Sequence, residues 1–112
     1  NVTVSSDGGG CLPEFDDNGV LQRMDIGNPA ILLETLAALV ADGVPLETAL
    51  PAFTSNVALL LRLADRGRLA AGSSADLVVL DDSGGAHSVM ARGRWHVRER
   101  IPVVYGTFEN SQ

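Results

Sequence analysis

Residues 54–82, TSNVALLLRLADRGRLAAGSSADLVVLDD, pass from a helix through two glycines into a strand. Thr54, Ser55 and Asn56 are side chains that cap a helix N-terminus well. Behind them Val57, Leu60, Leu61 and Ala64 fall on one helical face, and Leu59 and Leu63 populate another. A helix apolar on two sides is packed between layers, so this one needs more protein around it. After Gly67 the character changes. Ala75–Asp81 is a continuous apolar run bounded by acids, the pattern of a strand covered on both faces.

Upstream, the pattern is helical back to Asn28-Pro29. Asn28 is placed to cap and Pro29 to occupy the first helical position, where its missing N–H costs nothing. Leu32, Leu33, Leu36, Leu39 and Val40 form one apolar stripe, and Gly43 stands where a C-terminal cap belongs. Pro45 begins a second, short helix that Pro51 should end or kink near Leu50. Before the helices comes NVTVSSDGGGCLPEFDD, residues 1–17. Val2 and Val4 alternate with Thr3 and Ser5, a half-buried strand, and Gly8-Gly9-Gly10 follow Asp7. Three glycines let the backbone turn sharply and approach a ligand. Asp7 therefore belongs at a strand's C-terminal end, where (β/α)₈ barrels gather their catalytic groups. Capping a turn is the more ordinary use of such an Asp, and this segment alone leaves both readings open. Asp16, Asp17 and Asp25 read as loop residues after that turn.

Downstream, residues 87–92 and 94–99 read as two strands joined tightly around Gly93, and Val103-Val104-Tyr105 as a short last one. Strand, helices and then a run of strands give an α/β class: the last strand and helices of a (β/α)₈ TIM-like barrel over residues 1–66, then the C-terminal strands of a small β domain over residues 67–112.

The 112 residues are 46% hydrophobic and carry a net charge of −6, enough apolar content for a core. The acidic balance argues against nucleic acid or an anionic membrane as the main partner. Residues 1–60 hold eight acids against Arg23 alone, whereas residues 61–112 interleave seven arginines with six acids, a mixed solvated surface. The single cysteine, Cys11, excludes an internal disulfide. No apolar run approaches the roughly twenty residues of a membrane span, and no signal-peptide pattern precedes the first expected strand, so a cytoplasmic location is expected. The chain enters that strand at once from Asn1 with no initiator Met, and reads as a fragment.

The run over residues 54–82 resembles the C-terminal signature of the amidohydrolase superfamily of metal hydrolases, in which a Thr-x-Asn-x-Ala helix leads to a Gly-x-Leu/Ile-x-x-Gly turn and an Ala-Asp-Leu-Val-Val strand. Thr54, Asn56, Ala58, Gly67, Gly72, Ala75, Asp76 and Leu77 match it. The resemblance implies that the strand bearing Asp76 belongs to a small β-sandwich. SSDGGGCLPEFDDNG near the start, MARGRWHVRER and the closing GTFE are similar to the isoaspartyl (β-aspartyl) dipeptidases of that superfamily, over Val2 to Glu109.

That likeness implies a zinc-dependent hydrolase of β-aspartyl dipeptides, with two zinc ions. Asp7 matches the family's metal-binding aspartate, which acts as general base and later delivers a proton to the leaving amine. The Gly8–Cys11 loop, with Gly10 and Cys11 as the substrate-binding residues, matches the one that meets the substrate's free carboxylate through backbone N–H groups and a hydroxyl. Cys11 stands at the hydroxyl position, and a thiol is the weaker donor. The family's bridging carboxylated lysine has no counterpart, because the chain has no lysine, and His87 and His96 lack the His-x-His spacing. The implied partners are a small β-aspartyl dipeptide and the remainder of the barrel; the apolar helix surfaces favour association, and a homo-oligomer is expected. The isolated chain is expected to be inactive and to bind no catalytic zinc. Other readings remain open: the parent as a hydantoinase- or deacetylase-like amidohydrolase, or the chain itself as a non-catalytic structural or assembly module or a small independent α+β binding domain. His87, His96, Trp95 and Phe108 read as surface, packing or interface residues.

Overall fold

The computed structural model describes residues 1–108; Glu109, the end of the GTFE match, lies outside them. Helix α1 spans Ile31–Ala41. It starts two residues after the Pro29 expected to open it; Asn28 Oδ1 accepts the Ala30 N–H at 3.0 Å in the turn that leads into the helix. Leu36, in the middle of the apolar stripe, is buried. The helix closes on Gly43 (φ 95°), where the Gly43 and Val44 N–H groups bond the Val40 and Leu39 carbonyls, both at 3.0 Å. This is a Schellman cap, which places the left-handed residue just past the helix and favours glycine there. Helix α2, Leu46–Ala49, runs at Pro51 into a single 3₁₀ turn, Leu50–Phe53.

Helix α3 spans only Ser55–Leu60, so Leu63 and Ala64 lie beyond the helix expected to include them. Arg62 takes the left-handed conformation (φ 57°), and the Leu63 N–H bonds the Ala58 carbonyl at 2.8 Å. The same cap as at Gly43 thus forms without a glycine. Nor do the expected capping side chains cap. Thr54 Oγ1 donates to the Leu50 carbonyl and Asn56 Nδ2 to the Val2 carbonyl, each at 2.9 Å. Gly67 (φ 88°) packs on this helix so closely that a Cβ there would stand 2.6 Å from the Ala58 Cβ. Ala58 and Gly67 are small for one shared reason.

The second half is an antiparallel sheet of strands β3 (Leu77–Leu80), β4 (Ala86–Ala91), β5 (Arg94–Arg98) and β6 (Ile101–Pro102), in that order. (Strands β1, Cys11–Phe15, and β2, Leu21–Ile26, precede the helices.) Arg92 and Gly93, at φ 50° and 75°, form the tight β4–β5 turn. The last strand is Ile101–Pro102 rather than residues 103–105, although the Val103 N–H still bonds the His96 carbonyl at 2.9 Å. β3 is an edge strand with Val78 and Val79 exposed; no element among the described residues supplies the expected cover on both faces.

Two further expectations change. Val2–Ser5 joins no strand ladder among the described residues; its Val4 N–H bonds the Ala52 carbonyl at 3.0 Å. A strand needs a neighbour for its backbone groups, and here the helical layer supplies the partner. The segment holding Asp16, Asp17 and Asp25, read as loop residues, forms a hairpin of β1 (Cys11–Phe15) and β2 (Leu21–Ile26). Asp16 Oδ1 closes its turn, accepting the Asn18 and Val20 N–H groups at 2.9 Å each, and Asp25 lies on β2.

The result is an α/β arrangement of helices and antiparallel sheets, and it is open. Its radius of gyration, 16.6 Å, exceeds the ~13 Å of a compact domain of this length. Among the described residues the buried apolar ones are Leu36, Ala49 and Ala58, while Leu59, Leu60 and Leu61 of the helical layer are exposed. No helix among the described residues is long and apolar enough to cross a membrane.

Candidate functional site

Asp7 sits at a corner fixed by three glycines. Its backbone is left-handed (φ 49°), a conformation Asp tolerates better than most residues. The Gly10 N–H bonds the Asp7 carbonyl at 2.8 Å. A Cβ on Gly27 would overlap that carbonyl, and a Cβ on Gly10 would overlap the Asp7 carboxylate. Gly8 lies against Pro29, whose Cγ would be 3.2 Å from an added Cβ. Gly27 is the residue the sequence reading missed. The signal was present: a glycine directly after the β2 run and before Asn28-Pro29 marks a close backbone approach.

The carboxylate so placed has no hydrogen-bond donor or cation beside it among the described residues. The aspartates that organise structure are engaged. Asp16 holds the hairpin turn, and the Val20 N–H above all lowers its pKa. Asp76 accepts the Arg92 N–H at 2.7 Å, the main cause of its lowered pKa, and pairs with Arg66 at 3.1 Å. Asp81 accepts the Ser83 hydroxyl at 2.6 Å and the Gly85 N–H at 2.9 Å, which with Arg100 bring its pKa down to about 2. Asp7 is held in place by its backbone and its carboxylate is left free.

In the Gly8–Cys11 loop the Gly9 N–H bonds the Gly27 carbonyl at 2.9 Å, and the Gly10 N–H is taken by Asp7. Among the described residues the N–H groups of this loop left without a backbone partner are those of Gly8 and Cys11. Cys11 pairs with Ile26, one step from the Gly27 N–H to Gly10 carbonyl bond of 2.8 Å, so ladder alternation turns its N–H away from β2. Gly10 contributes space for the Asp7 carboxylate. The Cys11 thiol is exposed.

The histidines lie on the four-stranded sheet. His87 Nδ1 is 2.9 Å from Ser88 Oγ, and His96 lines an open cavity with Arg66, Asp76 and Arg94. Trp95 carries the Arg98 guanidinium 5.8 Å above its ring, and Phe108 is exposed. Among the described residues no three His, Cys, Asp or Glu side chains converge as metal ligands, and a zinc ion needs three or four. Asp7 fits such a site as one unengaged oxygen ligand; the remaining ligands would have to come from outside these residues.

This helix–glycine–strand frame defines the class: an amidohydrolase family model matches residues 30–98, and the chain belongs to that family of hydrolases. A particular relative is a solved structure, the beta-aspartyl dipeptidase of the thermophilic, keratin-degrading Fervidobacterium islandicum AW-1 in complex with the β-Asp-Leu dipeptide. The chain is 34% identical to it with a TM-score of 0.86, over 97% of this chain and 29% of that one. It therefore spans less than a third of the relative it matches.

Proposed function

We propose that this chain is the C-terminal part of a zinc-dependent isoaspartyl dipeptidase, which hydrolyses the isopeptide bond of β-aspartyl dipeptides. The observation that carries the reading is the Asp7 carboxylate, seated against Gly10 while Gly27 closes on its backbone carbonyl, and unpartnered among the described residues, in a chain similar along nearly its whole length to a dipeptidase that binds β-Asp-Leu. Asp7 serves as one metal ligand and as general base: it takes a proton from the attacking water and gives it to the leaving amine as the amide C–N bond breaks. The metal, when bound, makes water more acidic and polarises the carbonyl. The free N–H groups of Gly8 and Cys11 receive the substrate's carboxylate, and Gly10 keeps the Asp7 carboxylate in position. The rest of the barrel supplies the other ligands and covers the exposed leucines, in a cytoplasmic homo-oligomer.

The test is turnover of β-Asp-Leu by the complete zinc-loaded protein against its Asp7→Asn variant. The variant should fold normally and lose roughly 10²–10⁴-fold in kcat. Near wild-type turnover would remove Asp7 from the chemistry.

A further inference from the structure

Asn56 lies in the first turn of α3. Asparagine is a poor helix former, and this one is half-buried. Its amide is used far away in the sequence: Nδ2 donates to the Val2 carbonyl at 2.9 Å, across 54 positions of the chain. Two residues after Val2, the Val4 N–H bonds the Ala52 carbonyl at 3.0 Å. A carbonyl engaged at one residue and an N–H engaged two residues later is how one strand of a parallel pair holds its neighbour. The helical layer thus presents a substitute strand edge, one backbone carbonyl and one side-chain amide, to the segment that ends at Asp7.

The anchor is itself fixed. Gly67 packs so closely on the start of α3 that a Cβ there would stand 3.1 Å from both the Ser55 Cα and the Thr54 carbonyl oxygen. Thr54 Oγ1 ties the same turn back to the Leu50 carbonyl at 2.9 Å. At the other end of the segment the Asp7 N–H bonds Ser5 Oγ at 3.3 Å, and Gly27 closes on the Asp7 carbonyl. Residues 2–7 are therefore held by the helical layer at Val2 and Val4 and by the hairpin at Asp7. These are contacts formed inside the chain, and none depends on a surface being left open. The backbone that makes them matches that of a much longer chain with a TM-score of 0.86 over 97% of its length.

We propose that Asn56 is a positioning residue for Asp7: by holding the Val2 carbonyl it sets the line along which the segment enters the Asp7 corner, and so the reach of the carboxylate. The inference rests on the reading of Asp7 as general base. It is tested in the complete protein with Asn56→Asp, which keeps the size of the side chain and turns its donor into an acceptor facing the Val2 carbonyl. Asn56→Ala is read in the same way should that variant not fold. Hydrogen–deuterium exchange over residues 2–7 should rise several-fold, while α1 and the four-stranded sheet keep wild-type protection. In hydrolysis of β-Asp-Leu, kcat should fall about tenfold or more with KM within about twofold, because the Gly8–Cys11 loop is tied to Gly27 and not to Asn56. Unchanged exchange, a rise spread over the whole chain, a wild-type kcat, or a loss that falls on KM would each overturn the proposal. A wild type that cleaves no β-Asp-Leu would instead overturn the dipeptidase reading, and exchange over residues 2–7 would then decide by itself whether Asn56 holds the segment.

Discussion

Asp7 combines two properties that other acids of the chain have separately. Asp16, Asp76 and Asp81 are fixed because their carboxylates are bonded; Asp7 is fixed by its backbone and by the glycines it rests on. Adding one methyl group separates these properties. Gly10→Ala should leave the fold intact, push the Asp7 carboxylate off its seat and lower kcat at least about tenfold, since small misplacements of a catalytic group are costly. A variant with wild-type kcat would show that the seat is unimportant. Asp81 behaves in the opposite way. Its pKa falls from 3.8 to about 2 on folding, first through the Ser83 hydroxyl and then the Gly85 N–H. A lowered folded pKa means that its stabilising contribution is complete above about pH 4 and is lost as pH falls towards 2. A carboxyl carbon NMR titration of Asp81 should give a midpoint near 2; a midpoint of 3.8 or above would deny the clasp. At this scale the sequence was partly legible. Asp7 before three glycines pointed to a sharp turn, but Gly27 lies twenty residues away, and only the hairpin brings the two together.

At the scale of elements, local rules worked where they were sufficient. Asn28-Pro29 lead into α1, Gly43 closes it, and Pro51 ends α2, because caps and prolines act through adjacent backbone groups. They did not suffice at α3, where Arg62 takes a conformation that sequence normally assigns to glycine. The β1–β2 hairpin was also legible in principle, since Asn18-Gly19 between two apolar runs is a strong turn signal. Pro13 within the first run demotes it as a strand unless an edge position is considered. The Ala58–Gly67 contact is the element-scale feature most open to test. Gly67→Ala puts a methyl group 2.6 Å from the Ala58 Cβ at φ 88°. It should destabilise the complete protein by about 2–4 kcal/mol, combining left-handed strain with overpacking, as read by denaturant midpoint. A change below about 0.5 kcal/mol would mean that the glycine answers to something other than this contact.

At the scale of the whole molecule, only Leu36, Ala49 and Ala58 are buried apolar residues among those described, beside a row of exposed leucines, the pattern of a surface that meets more protein. That fits the barrel strand expected at Val2–Ser5, which finds no strand neighbour among the described residues, and the double cover expected over β3, which finds none there: the alternation is local, but a strand's neighbours are not. Membership of the amidohydrolase family rests on residues 30–98, and the substrate reading on the likeness to one dipeptidase. Hydrolysis of β-Asp-Leu, with α-Asp-Leu as the control, by the zinc-loaded complete protein tests that reading most directly. Selective cleavage of the β-linked dipeptide is the predicted result. Cleavage of neither, or equal cleavage of both, would keep the hydrolase family and contradict the isoaspartyl dipeptidase assignment.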